Sequence, residues 1–321
     1  MLNYDAILIR YGEIGLKSKR VRSRYERILV ENIKAVLHLH KKTYSGIRRD
    51  RGRIFTHSND PDIADVVANV FGVVSTSPVI TTDPDLQMMA QMAADVGELT
   101  IHQNESFAIR ARKAGVHDFS SRDIGVSCGD AVYERIKGQN PSIDLTSPDK
   151  EIFIEVRPDK AYVYTKIIKG VGGLPLGTQG RMVALITDDI SSSVAVWLMM
   201  RRGCEIIPVC CDNAHLSGAA EGGRAVEHIK ILQRWAPNYP MKIHEVPHGG
   251  GVENTYRIAA EIAKKERAHG IITGSSLEQV AAQISADVLA EALDIDFPIC
   301  RPLIGMDRAE IVSFAKRIGI F

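Results

Sequence analysis

Cysteine is scarce in this chain: five residues among 321, at positions 128, 204, 210, 211 and 300. Their number is odd and no two form a Cys-x-x-Cys pair, which argues against a disulfide framework and leaves zinc or iron–sulfur chemistry without support. His215, His244, His248 and His269 show no metal-ligand spacing either. No apolar run reaches the roughly 20 residues of a membrane span, so no membrane partner is expected. In Met1-Leu-Asn-Tyr-Asp5 a charge arrives before any apolar stretch develops, unlike a secretory leader. Together these absences suggest a cytoplasmic location.

Net charge is nearly absent as well, at +1, but it is unevenly spread. Residues 1–60 hold 14 bases against six acids, a net +8 that leaves −7 for the rest of the chain. A basic end of this kind suits a polyanionic partner, although solvated surface charge would read the same. Strand, helix and turn signals alternate irregularly up to residue 168. They include a basic turn at Arg48–Gly52, a helix from Ser23 to His40 and a half-buried strand at Ser106–Arg112. The Gly/Pro-rich stretch Lys169–Gly180 reads as a linker. Beyond it the rhythm becomes strand–helix–strand, with helices expected at 193–202, 224–235, 257–269, 277–293 and 308–318. That rhythm means a parallel sheet covered on both faces.

Within this second region Met182–Gly203 reads as a buried strand, a tight turn and a helix. Such a turn can hold phosphate on the free amides of the helix start. It contains no glycine, however, and carries Asp188 and Asp189. Asp and Ser are also preferred helix caps, so a turn that only caps its helix explains the same residues. In the basic region, Arg10-Tyr-Gly-Glu-Ile-Gly-Leu-Lys-Ser-Lys19 reads as a surface loop. Lys17 and Lys19 there, with Arg110, Arg112 and Lys113 at a strand end, are candidates for phosphate contacts. Gly249-Gly-Gly251 has no following Lys-Ser/Thr and is not a Walker loop.

Six segments in order resemble the tRNA 4-thiouridine synthetases (tRNA sulfurtransferases): Ile9–Lys17, Ser106–Arg112, Gly170–Gly180, Leu198–Gly203, Ile272–Val280 and Arg301–Gly305. The resemblance implies an α/β fold class. It would comprise N-terminal ferredoxin-like and THUMP α+β domains, then a doubly wound parallel-sheet adenine-nucleotide α-hydrolase-like (PP-loop) domain. The implied boundaries are 1–60, 61–168, a linker at 169–180, and 181–321. It further implies tRNA as partner, ATP with Mg as cofactor where the chemistry survives, and a persulfide donor protein. A homodimer stays open.

The family's PP-loop pattern, Ser-Gly-Gly-x-Asp-Ser, falls on Thr187, Asp188, Asp189, Ile190, Ser191 and Ser192. Both glycines are replaced by acids. Gly274-Ser-Ser-Leu-Glu-Gln279 stands for Gly-Glu-Ser-Leu-Gly-Gln, and Arg257 is kept while the lysine expected one turn later is Glu261. The nucleotide-site remnant is thus Thr187, Asp188, Asp189, Ser191, Ser192, Arg257, Gly274 and Gln279. Cys210 and Cys211 do not match the family's sulfur-handling position. The reading is a tRNA-binding protein linked to tRNA thiolation, with ATP-dependent chemistry lost or altered and no catalytic residue assigned. The alternative is an active sulfurtransferase that adenylates uridine 8. An adenylating enzyme of small molecules would leave the basic N-terminus unexplained.

Overall fold

The computed structural model describes residues 2–50, 52–210, 223–245, 251–277 and 295–321, with side chains from 254 in the fourth stretch. Gln279, Glu278, Cys211, His215, His248 and almost all of the expected helix at 277–293 lie outside the described residues. In chain order the elements are β1 (Ala6–Tyr11), α1 (Lys19–Leu39), β2 (Gly46–Asp50), β3 (Arg53–His57), α2 (Ile63–Ala68), β4 (Val73–Thr82), α3 (Leu86–Thr100) and β5 (Ser106–Lys113). Next come α4 (Ser121–Ile136), β6 (Ser142–Ile143), β7 (Lys150–Val156), β8 (Ala161–Tyr164) and β9 (Ile168–Lys169). The last group is β10 (Arg181–Ile186), α5 (Ile190–Arg201), β11 (Glu205–Cys210), α6 (Arg224–Arg234), β12 (His244–Glu245), α7 (Gly251–Lys265), β13 (Ile271–Ile272), β14 (Ile299–Cys300) and α8 (Arg308–Ile318).

The chain divides into two compact units. The first comprises Met1–Tyr11, Lys41–Ala68 and Val74–Gly170. Its strands run in the order β2-β3-β1-β4-β8-β7-β5-β6, with β9 also on β4. The long β4 serves both halves: Ser75 and Thr76 pair with β9, and Ile80–Thr82 pair with β8. On the second half, α3 and α4 cover β5, β7 and β8. Ile124, Cys128, Val132 and Ile136 recur every fourth residue on α4 and are all buried. A capping box between Ser120 and Asp123 starts that helix, as the Ser-x-x-Asp spacing suggests.

The second unit comprises Gly12–His40, Asn69–Val73 and Val171–Phe321. Here α1 begins at Lys19 rather than Ser23, because Ser18 already has the extended cap conformation. The Gly/Pro stretch before β10 is not slack. Leu174 N–H donates to Arg201 O, and the amides of Gly177, Thr178 and Gln179 converge on Gly203 O. Asn32 on α1 donates to Leu176 O at 3.0 Å, and Gln179 donates to the Tyr25 hydroxyl at 2.8 Å.

The five-stranded parallel sheet of this unit has the order β12-β11-β10-β13-β14. Side chains alternate along each strand. Met182, Ala184 and Ile186 enter the core with α5, α6 and α8, while Val183 and Leu185 enter the opposite core with α7. The sheet is therefore doubly wound, as the strand–helix rhythm implies. Two local expectations change. The basic turn at Arg48–Gly52 is largely β2, paired with β3 from Gly46↔His57 to Asp50↔Arg53. Helix α7 begins at Gly251, six residues before Arg257.

Candidate functional site: a capped turn and two basic surfaces

Strand order in the parallel sheet reverses between β10 and β13. Open α/β sheets bind ligands beyond the carboxyl ends of the strands at such a switch point. The loops leaving those two strands are Thr187–Asp189 and Thr273–Ser276, and the second packs against the first turn of α5, which follows the first loop. A Cβ on Gly274 would lie 2.5 Å from Ser192 N and 2.7 Å from Ser192 Cα. The structure thus brings together Thr187, Asp188, Asp189, Ser191, Ser192 and Gly274. Arg257 sits exposed on α7, the helix covering the other sheet face.

The turn is held by its own side chains. Asp189 is the N-cap of α5, and its Oδ1 accepts the Ser191 N–H at 2.7 Å. Thr187 N–H donates to Ser192 Oγ at 3.1 Å, and Ser192 Oγ–H donates to Asp189 O at 2.8 Å. Asp188 turns the other way. Its Oδ1 accepts the Ala225 N–H at 2.9 Å and so satisfies a free amide in the first turn of α6. Two helix starts that could face an anion each carry a carboxylate of this chain.

Two neighbours escaped the sequence reading. Arg308, first residue of α8, places Nη1 3.4 Å from each Asp189 carboxylate oxygen and 3.2 Å from Ser191 Oγ. Burial acts to raise the Asp189 carboxyl, but the Ser191 hydrogen bonds and Arg308 outweigh it and hold it below the ordinary aspartate value. His228 on α6 is buried, and burial pushes its imidazole below the ordinary histidine value despite a hydrogen bond with the Thr187 backbone. The Asp307–Glu310 capping spacing marks the helix start that carries Arg308, but nothing in the sequence places that start beside Asp189. Nothing in the spacing around His228 marks it.

A phosphate group does not fit the turn as it stands. The amides of Ser191 and Ala225 already have carboxylate partners. A phosphate charge about 5 Å from each carboxylate would meet about 3 kcal/mol of repulsion per unit-charge pair at an effective dielectric near 20. Arg308 offsets only one of the two acids. Among the described residues, no group of three or more His, Cys, Asp or Glu side chains could hold a metal ion. Burial pushes the Cys128 thiol up to about 12 and the Cys204 thiol up to about 11, so neither is a thiolate at neutral pH.

The basic candidates divide differently. Lys17 and Lys19, in the second unit, are exposed and make no side-chain hydrogen bond or ion pair within the described residues. In the first unit, Arg110 is committed: its Nε pairs with Glu151 at 2.6 Å and its Nη1 donates to Leu145 O at 2.9 Å. Lys113 Nζ donates to His117 O at 3.4 Å. Arg112 is exposed. Arg110 and Arg112 line an open cavity of about 760 Å³ with Phe107, Val126, Ile143 and Leu145. Among the described residues no helix is long and apolar enough to cross a membrane.

Comparison with known proteins places these features together. The ThiI ferredoxin-like domain family matches residues 6–77, the THUMP domain family residues 84–166, and the thiamine biosynthesis protein (ThiI) family residues 177–255 and 251–321. A probable tRNA sulfurtransferase of Methanosarcina acetivorans is 48% identical over 336 residues, covering 99% of this chain and 82% of that protein. Among solved structures, a 4-thiouridine synthetase in complex with RNA and bound ATP superposes with a TM-score of 0.81 at 26% identity, over 99% of this chain and 85% of that one. The PH1313 protein of Pyrococcus horikoshii Ot3 superposes with a TM-score of 0.80 at 29% identity, over 98% and 99% of the two chains.

Proposed function

This chain belongs to the tRNA sulfurtransferase (ThiI) family, and from that premise we propose that it is a tRNA-binding member whose ATP-dependent step is lost or altered. A ferredoxin-like domain at 1–60 and a THUMP domain at 61–168 supply the RNA contacts, with the PP-loop domain at 181–321 following the 169–180 connection. Lys17, Lys19 and Arg112 are the exposed cations that act on phosphates, while Arg110 and Lys113 shape the surface beside them. The RNA complex of the related synthetase supports tRNA as partner. The cytoplasm is the matching location.

One observation carries the nucleotide half of the reading: Asp188 and Asp189 put carboxylates on the helix starts where a triphosphate would need free amides. Any sulfur transfer would draw on a persulfide carried by another protein, a reading in keeping with the burial of Cys128, Cys204 and Cys210. The test is AMP release from ATP and Mg2+ on incubation with unmodified tRNA and a persulfide donor. No tRNA-dependent AMP and no 4-thiouridine are expected. Stoichiometric AMP with 4-thiouridine would overturn the proposal in favour of an active sulfurtransferase.

A further inference from the structure

Glu155 on β7 is 4% exposed, yet it faces three guanidinium groups. Its Oε1 accepts from Arg53 Nε at 2.9 Å and from Arg157 Nη1 at 3.3 Å, and its Oε2 lies 3.7 Å from Arg10 Nε. Arg157 reaches on to Asp50, with Nε 3.2 Å from Oδ2 and Nη2 donating to the Asp50 carbonyl at 3.0 Å. Arg48 Nη2 donates to the Tyr162 hydroxyl at 2.8 Å, and the Phe55 and Tyr162 rings stack at 4.4 Å.

These contacts cross the sheet rather than follow it. β3 and β7 stand four places apart in the strand order. In a flat sheet, four spacings of about 4.8 Å would separate them by about 19 Å. A 2.9 Å contact therefore requires the two halves that share β4 to fold toward each other, with Glu155 and Asp50 as the links. Arg10, Arg48, Asp50 and Arg53 lie in the segment matched by the ferredoxin-like family, and Glu155 and Arg157 in the THUMP match. The network is also imperfect. Arg10 Nη2 and Glu155 Oε2 are buried without hydrogen-bond partners. Such a network is a poor way to gain stability and a good way to fix one geometry.

We infer that Glu155 is a positioning residue for RNA binding: it clasps the ferredoxin-like strands to the THUMP strands at one fixed splay. The exposed cations of the two halves, Arg48 and Arg49 on β2 and Arg112 and Arg122 at β5 and α4, are thereby held at one spacing. One RNA can then engage both halves at once, as linked sites gain from effective concentration. The inference rests on the tRNA-binding reading, but Glu155 itself touches no RNA, because a carboxylate repels phosphate.

The test is tRNA binding by the full-length chain, measured by fluorescence anisotropy over a range of KCl concentrations beside thermal melts. Glu155→Gln keeps shape and one acceptor but removes the charge that gathers the arginines. It is expected to weaken binding about 10-fold and to lower the salt slope by about one to two, since fewer phosphates are contacted together. Asp50→Asn breaks the outer link and is expected to act the same way about 3-fold; it carries the test if Glu155→Gln does not fold. Tighter binding with a steeper slope would mean that Glu155 merely offsets charge. Weaker binding at an unchanged slope would mean a merely structural role, and unchanged binding would mean none; each overturns the inference. A parent chain that does not bind tRNA removes the underlying reading and the clasp's role with it, whereas a binding parent with unaffected variants removes the clasp's role alone.

Discussion

Helix α1 starts at Lys19 behind Ser18, with no acid in its first turn and no side-chain cap on its amides. Helix α5 starts behind Asp189, whose carboxylate takes the Ser191 amide while Arg308 covers it from the side. The same backbone device, a ring of unpaired N–H groups, is left cationic at one end of the chain and supplied with its own anion at the other. On the proposed reading the difference teaches that fold and ligand chemistry are separable. The parallel sheet has its switch point, the Gly274 contact and the helix starts, and two side chains would then decide what that geometry can hold.

The largest effect that could break this comparison lies at the open helix start. Lys17→Glu with Lys19→Glu removes most of its positive charge and is expected to weaken tRNA binding about 100-fold at ~100 mM salt, with a salt slope about two units shallower. Anisotropy titrations at several KCl concentrations check this, and unchanged affinity would remove α1 from the RNA surface. Next in size is Gly274→Ala. Its Cβ would meet backbone atoms of Ser191 and Ser192 that have no room to give. Urea unfolding should show a loss of about 2 kcal/mol, within the range for overpacked sites. A neutral result would mean that the Thr273–Ser276 loop does not press against the first turn of α5.

Smaller again is the closed helix start. Asp189→Ala removes the cap and should cost about 1 kcal/mol, whereas Asp189→Asn keeps a capping oxygen and should cost less. The smallest effect is the pH dependence. The folded-state pKa of Asp189 is lowered, so its contribution is complete above the unfolded value near ~4 and is lost as pH falls through the lower folded value. Acid melts of the parent below about pH 4 should therefore lose a small increment that Asp189→Asn does not show.

Much of this was legible in the sequence where period and cap agree. Ser120 with Asp123 and the four-residue spacing to Ile136 mark α4, and the unbroken apolar run Met182–Ile186 marks a strand buried on both faces. Legibility failed where side chains answer to solvent or to distant partners. Arg48, Arg49 and Asp50 read as a turn because charge is unusual in a strand, but β2 is a sheet edge, where charge is favoured. Lysine and arginine in the first turn of α1 oppose the helix dipole and hid its start. The site was half visible. The acids in the turn stand out, but their partners, Ala225 and Arg308, lie 37 and 119 residues away and come into view only with the fold.

The most direct test of the central claim is calorimetry of ATP with Mg2+ on the parent chain beside the Asp188→Gly/Asp189→Gly variant, which frees the Ser191 and Ala225 amides. The account predicts no measurable binding to the parent up to about millimolar nucleotide and recovery of at least about 10-fold in the variant. Micromolar binding by the parent, unimproved or weakened by the two glycines, would contradict it.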